Sequence, residues 1–244
     1  MCAFTLSGVI GFGGNLFAMP ILSLFFNVKD LVLMFAAISV ANCFMRTMIY
    51  RRYIPLKRFF PLCAIMLVGT LVGLKIYHTL PENTLKLILG IFVIIMVIYN
   101  NLHKASSILA PGESDPNLRT GIFYRLLIFL AGIVQGAFVC GGVLLVIPLD
   151  HYFGYKREVY LSMQWPMMLC CSVILIAINI SKGVYHGTIL TMSLCGVVAL
   201  FGTLFLSPLI SKRLDDKTFH TVINAMLLFS GLNLSVQALL KILG

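Results

Sequence analysis

The chain divides into eight apolar runs, each near the length of about 20 residues that a helix needs to cross a bilayer. They are Cys2 to Phe26, Leu31 to Tyr50, Phe59 to Tyr77, Leu85 to Leu102, Ile122 to Leu149, Val159 to Ser181, His186 to Ser211 and Thr218 to Leu240. Between the fourth and fifth lies Lys104 to Thr120, where Pro111-Gly112, Glu113, Asp115-Pro116 and Arg119 mark a polar, turn-rich linker. The pattern predicts an all-α polytopic membrane protein. Its eight segments form two four-segment halves, residues 1–103 and 121–244, joined by the linker 104–120.

The halves repeat. Gly8, Gly13, Gly14 and Pro20 of the first segment return, in register, as Gly136, Gly141, Gly142 and Pro148 of the fifth. A glycine pair lets another backbone come close and permits positive φ. A proline six residues later has no amide hydrogen and disturbs a helix around it. Each half therefore opens with an apolar segment built to be broken, at Gly13-Gly14 and Pro20 in one and at Gly141-Gly142 and Pro148 in the other. Matching interruptions in two halves are a sequence pointer to a transporter's binding site. Asp30 and Glu158 fall in the same register, and Leu80-Pro81-Glu82-Asn83-Thr84 pairs more loosely with Leu214-Asp215-Asp216-Lys217-Thr218.

This duplicated pattern, Gly-x-x-Gly-x-Gly-Gly followed by a proline, resembles the sulfite exporter TauE/SafE family of anion transporters. Tyr50-Arg51-Arg52-Tyr53-Ile54 after the second segment, Gly187-Thr188-Ile189 in the seventh and Leu80-Pro81-Glu82 before the fourth extend the likeness over nearly the whole chain. Where the family often has a third glycine after each pair, this chain has Asn15 and Val143. The resemblance implies a carrier of sulfur-containing organic or inorganic anions, commonly an exporter, in the inner or plasma membrane.

Loop charge bears on topology. If all eight segments cross in turn, the loop Lys and Arg residues are shared almost evenly between the two faces. If the first and fifth segments dip in and return, they concentrate on one face, as the positive-inside rule favours. The second arrangement makes the halves inverted repeats with six full crossings. Irregular backbone at membrane depth is tolerated where it is buried or lines a cavity.

Composition narrows the function classes. The 244 residues are 60% hydrophobic and only 11% charged, against about 25% charged in soluble domains. The net charge of +10 is dispersed between apolar segments, which fits cytoplasmic loops and not nucleic-acid binding. The N-terminal run lacks a basic leader and is expected to remain as a segment and not to be cleaved. All eight Asp and Glu residues lie at segment ends or in loops. Cation pumps and proton relays usually keep a carboxylate at membrane depth, so its absence argues against a cation substrate. The five histidines also sit near segment ends, and the seven cysteines form no CxxC pair, so neither a metal nor a cofactor is expected. There is no HExxH and no Ser/His pairing at a recognisable spacing, which argues against an enzyme. A channel and a non-transporting assembly protein are the rivals. Oligomeric state is not legible.

The candidate site residues are polar groups at membrane depth. Ser39, Asn42 and Arg46 are spaced to share one face of the second segment. Arg46 can either snorkel to the surface or face a cavity, where a planar guanidinium suits an oxyanion. In the sixth segment Gln164 can donate amide hydrogens to a substrate or to a neighbouring helix. Trp165, the single tryptophan, can pack or stack. With Gly13, Gly14, Asn15, Gly141 and Gly142, these make the expected substrate-binding set. The broken helices would present free amides and a partly positive half-helix end to the anion.

Overall fold

Helix α1 (Val28–Tyr50) starts at Asn27, whose side chain accepts from the Lys29 amide at 2.9 Å. Asp30 in the first turn complements the positive end of the helix. Proline marks the next two boundaries: Pro55 precedes α2 (Leu56–Thr79) and Pro81 precedes α3 (Glu82–Ser106). In α3 the Glu82–Lys86 ion pair, 2.6 Å long, spans one turn. Helix α4 covers Leu118–Phe138, α5 covers Arg157–Ser181 and a shorter α6 covers Ile189–Val198. Helix α5 ends on Gly183 at φ +66, where Gly183 and Val184 donate to the Ile180 and Asn179 carbonyls.

The computed structural model describes residues 15, 18–19, 22–23, 26–106, 118–145, 148–149, 157–185, 187, 189–198, 231–233, 235–236 and 239. Among these, all regular structure is helical. Among the described residues four spans are long and apolar enough to cross a membrane: Val28–Tyr53, Lys57–Thr79, Gly121–Phe138 and Leu161–Ser181. Helices α1, α2, α3 and α5 extend the second, third, fourth and sixth expected segments by a few residues. The fifth is interrupted near its glycine pair, as expected: α4 stops at Phe138 and a 3-10 turn follows at Gly141–Val143. Most of the first, seventh and eighth segments, and 107–117 of the expected linker, lie outside the described residues.

Glycine sets the closest helix contact. Gly69 and Gly73 on α2 face Gly132 and Gly136 on α4, each one turn apart. Added Cβ atoms at Gly69 and Gly73 would run into the Phe129 and Ile133 carbonyl oxygens, and those at Gly132 and Gly136 into the Met66 and Thr70 oxygens. Two Gly-x-x-x-Gly stripes thus let the backbones touch, which is where close packing supplies affinity between helices in lipid. Residue numbers rise together along the contact, so α2 and α4 run parallel. Gly136, one glycine of the duplicated motif, belongs to this packing and not to the break.

Helices α1 and α5 run antiparallel. Ser162 near the start of α5 donates to the Tyr53 carbonyl just beyond α1 at 3.1 Å. Beyond the far end of α5, the Tyr185 hydroxyl donates to the Leu33 carbonyl at 3.0 Å. Burial pushes the Tyr185 phenol up to about 12, so it stays protonated as this donor. Apolar side chains gather in two clusters stacked along the helix axes. One holds Leu31 and Phe35 of α1, Leu74 and Tyr77 of α2 and Phe138 and Val139. The other holds Cys43, Leu62, Met66, Leu145, Leu149 and the first half of α5. The outer faces are apolar too. On α3, Ile88, Ile91, Ile95 and Ile98 are exposed while Leu85, Leu89, Val93 and Val97 are buried. Such stripes are stable against lipid and not against water.

Candidate functional site

The break after α4 begins at Val139, whose φ of +57 lies in the left-handed region. A β-branched residue is strained there, by roughly 1–3 kcal/mol. Its amide still closes the helix on the Gln135 carbonyl at 3.0 Å. The chain then turns back on α4, so that the Gly141 amide donates to Gln135 Oε1 at 2.9 Å. Gln135 Nε2 donates to Ser172 Oγ on α5 at 3.3 Å, tying the break to both helices. A short 3-10 turn follows at Gly141–Val143.

The two glycines of the pair face different neighbours. An added Cβ at Gly141 would collide with the Ala131 carbonyl oxygen, and it would lie 2.7 Å from Gln135 Cβ and 3.0 Å from the Gln135 amide nitrogen. One at Gly142 would meet only side-chain atoms of α5: Met168 Sδ at 2.8 Å, and Gln164 Nε2 and Met168 Cε at 3.1 Å each. Neither has positive φ. Gly141 is therefore held by helix packing, and Gly142 looks onto α5. Gln164 Nε2 donates to the Gly142 carbonyl at 3.0 Å, which fixes the orientation of its amide. Gln164 Oε1 is then left buried with no partner among the described residues, as is Trp165 Nε1.

On α1, Ser39, Asn42 and Arg46 do share one face. Ser39 is buried and lies 3.7 Å from Cys43 Sγ through its hydroxyl. Arg46 Nε donates to Asn42 Oδ1 at 3.1 Å. The Arg46 guanidinium sits over the Trp165 ring, 4.6 Å from its centroid, and so packs inward on α5 instead of snorkelling. The stacking is a cation–π contact. Arg46 has no carboxylate partner among the described residues. Asn15 reaches across from the first half: its Nδ2 donates to the Val139 carbonyl at 2.9 Å. Pro148 is buried beyond the second break. Gly13, Gly14 and Pro20 lie outside the described residues.

The structure thus joins Asn15 to the second break, Gln164 to Gly142, and Arg46 to both Asn42 and Trp165. Sequence reasoning missed Gln135, Val139 and Met168; the signal for Gln135 was its place inside Gly132-x-x-x-Gly136. A guanidinium with no carboxylate partner and a buried indole donor with no acceptor, among the described residues, suit an anion. Among the described residues no group of His, Cys, Asp or Glu is arranged to hold a metal ion.

Long apolar helices with lipid-facing stripes, closely packed through glycine, define a multi-pass integral membrane protein. The family model of the sulfite exporter TauE/SafE matches residues 1–234. The chain belongs to this family, whose members are membrane transporters. No curated protein matches the chain, and no solved structure does.

Proposed function

We propose that the protein carries small sulfur-containing oxyanions, such as sulfite or organosulfonates, out of the cell by alternating access. The observation that carries this reading is the Arg46–Trp165 pair. A half-buried guanidinium with no described carboxylate partner stacks on an indole whose N–H is buried and unpaired. In a low-dielectric setting an unpaired donor is costly, and a bound oxyanion would satisfy it. Arg46, Asn42 and Ser39 approach from α1, and Gln164 and Trp165 from α5. Gly141 and Gly142 belong to the break after α4, Asn15 donates to the Val139 carbonyl at its start, and Gly13 and Gly14 would supply the matching break of the first half. Gln164 Oε1 would accept from the proton of a hydrogensulfite ion or from a bridging water.

The proposed architecture is an inverted repeat of residues 1–103 and 121–244 with a re-entrant first segment in each. Alternating crossings would make the second and sixth segments parallel, whereas α1 and α5 run antiparallel. Helix α4 runs parallel to α2, and α5 also begins beside the α1–α2 connection. These directions support a return of the chain, between Phe138 and Arg157, to the side from which α4 started. Rocking of one half against the other would then alternate access. An anion with one charge gains roughly 2.3 kcal/mol per 100 mV on leaving an inside-negative cell, so export could run on the potential alone.

The test is exchange of radiolabelled sulfite in proteoliposomes, beside a thermal-shift screen with sulfite, thiosulfate, sulfonates and small carboxylates. Saturable exchange and stabilisation by a sulfur oxyanion are expected. Unsaturable flux would make the protein a channel. No flux and no stabilising anion would leave an assembly role.

A further inference from the structure

We infer that Met168 is a specificity-determining residue that selects anions of the form X–SO3, in which X is not oxygen, over sulfate. The inference rests on the proposed anion site and deepens it.

The argument starts from helix geometry. At about 100° per residue, Gln164, Trp165 and Met168 lie within an arc of about 100° on α5. Met168 falls between the other two in angle and one turn further along. Gln164 and Trp165 carry two of the six buried side-chain polar atoms left without partners among the described residues, Oε1 and Nε1, and they are neighbours on α5. Met168 is itself buried, and its Sδ and Cε lie against Gly142 beside Gln164 Nε2. A ligand that reaches the indole N–H and the Gln164 amide therefore has the Met168 thioether against its next face.

That face is polarisable and has no hydrogen to donate. An X–SO3 anion has three oxygens on one side, which can turn toward Arg46 and Trp165. Its fourth position is a lone pair in sulfite, a carbon in a sulfonate and a sulfur in thiosulfate. Each of these is softer and more weakly hydrated than a sulfate oxygen, so it loses less against a thioether. Sulfate has a fourth charged oxygen, which would lose its water and gain no donor there.

Thiosulfate and sulfate make the cleanest comparison, because charge and shape are shared and one atom differs. Their binding, and that of sulfite, is measured on the purified full-length protein by competition with radiolabelled sulfite. Wild type should prefer thiosulfate and sulfite to sulfate by about tenfold or more, the scale set by one unsatisfied buried oxygen. Met168→Leu keeps an apolar wall and should preserve the preference even where absolute affinity changes. Met168→Gln offers an amide donor and should cut the preference to about threefold or less. Should Met168→Gln fold poorly, Met168→Ser and the wild-type series decide. Equal binding of sulfate and thiosulfate by wild type, or an unchanged preference in the polar variant, overturns the role of Met168 and leaves the anion site standing. Failure of sulfite and thiosulfate alike to bind overturns the site itself, and this inference with it.

Discussion

Alanine at Gly141 and at Gly142 should give opposite defects, although the two positions are adjacent and both buried. At Gly141 the new methyl group meets backbone, the Ala131 carbonyl oxygen, and crowds Gln135 Cβ at 2.7 Å. Backbone cannot rotate away, so the turn must move off α4. Overpacking of this kind costs about 1–3 kcal/mol. The move also strains the Gly141–Gln135 bond of 2.9 Å, and leaving a buried amide oxygen unpaired costs about another 1–3 kcal/mol. At Gly142 the methyl group meets only the ends of Met168 and Gln164, at 2.8 to 3.1 Å, and both side chains can rotate. Gln164 Nε2, 3.1 Å from the added atom, need shift only slightly, which lengthens its bond to the Gly142 carbonyl without breaking it and costs about 1 kcal/mol or less. Replacing glycine at an ordinary φ returns about 0.4–1 kcal/mol by restricting the unfolded chain. Gly142→Ala should therefore be close to wild type in stability while its α5 side chains are rearranged. The assays are thermal unfolding of the purified protein and radiolabelled sulfite exchange in liposomes. Gly141→Ala should unfold at clearly lower temperature, and Gly142→Ala should unfold normally but exchange poorly. A stable Gly142→Ala protein that exchanges sulfite at the wild-type rate would remove the break from the site. A Gly141→Ala protein as stable as wild type would refute the packing role.

Other outcomes follow from the same contacts. Arg46→Gln should weaken sulfite binding by roughly tenfold or more, since charge-assisted bonds are worth about 1.5–3 kcal/mol. Arg46→Lys should recover only part, a point charge replacing a planar fork; unchanged affinity in Arg46→Gln would assign Arg46 to packing against Trp165 alone. In a cysteine-depleted background, Arg52→Cys and Lys182→Cys should label from opposite sides of the membrane, because α1 and α5 run antiparallel. Labelling from one side would restore simple alternating crossings. Gly132→Val should lower the unfolding temperature by forcing α2 and α4 apart. Gly121→Ala, with nothing within 4 Å of the added atom, should leave it unchanged or raise it slightly; equal losses in both would deny the close helix contact.

The sequence alone determined the membrane class, because a run of about 20 apolar residues has few other stable homes. It also placed α1, α2, α3 and α5 to within a few residues, since each is a long apolar run bounded by polar residues. The duplicated glycine pair marked where the fifth segment breaks, and helical spacing alone put Ser39, Asn42 and Arg46 on one face. What remained needed the partner surfaces. Arg46 has a long side chain with two physically acceptable ends, the interface or the interior, and only Trp165 on another helix decides between them. Gly136 and Gly141 share a motif in sequence, yet one lets α4 touch α2 and the other lets the turn fold back on α4. Gly142 differs from Gly141 only in what stands opposite, flexible side chains instead of a carbonyl. Close approach is a property of two surfaces, and a single strand of sequence carries one of them.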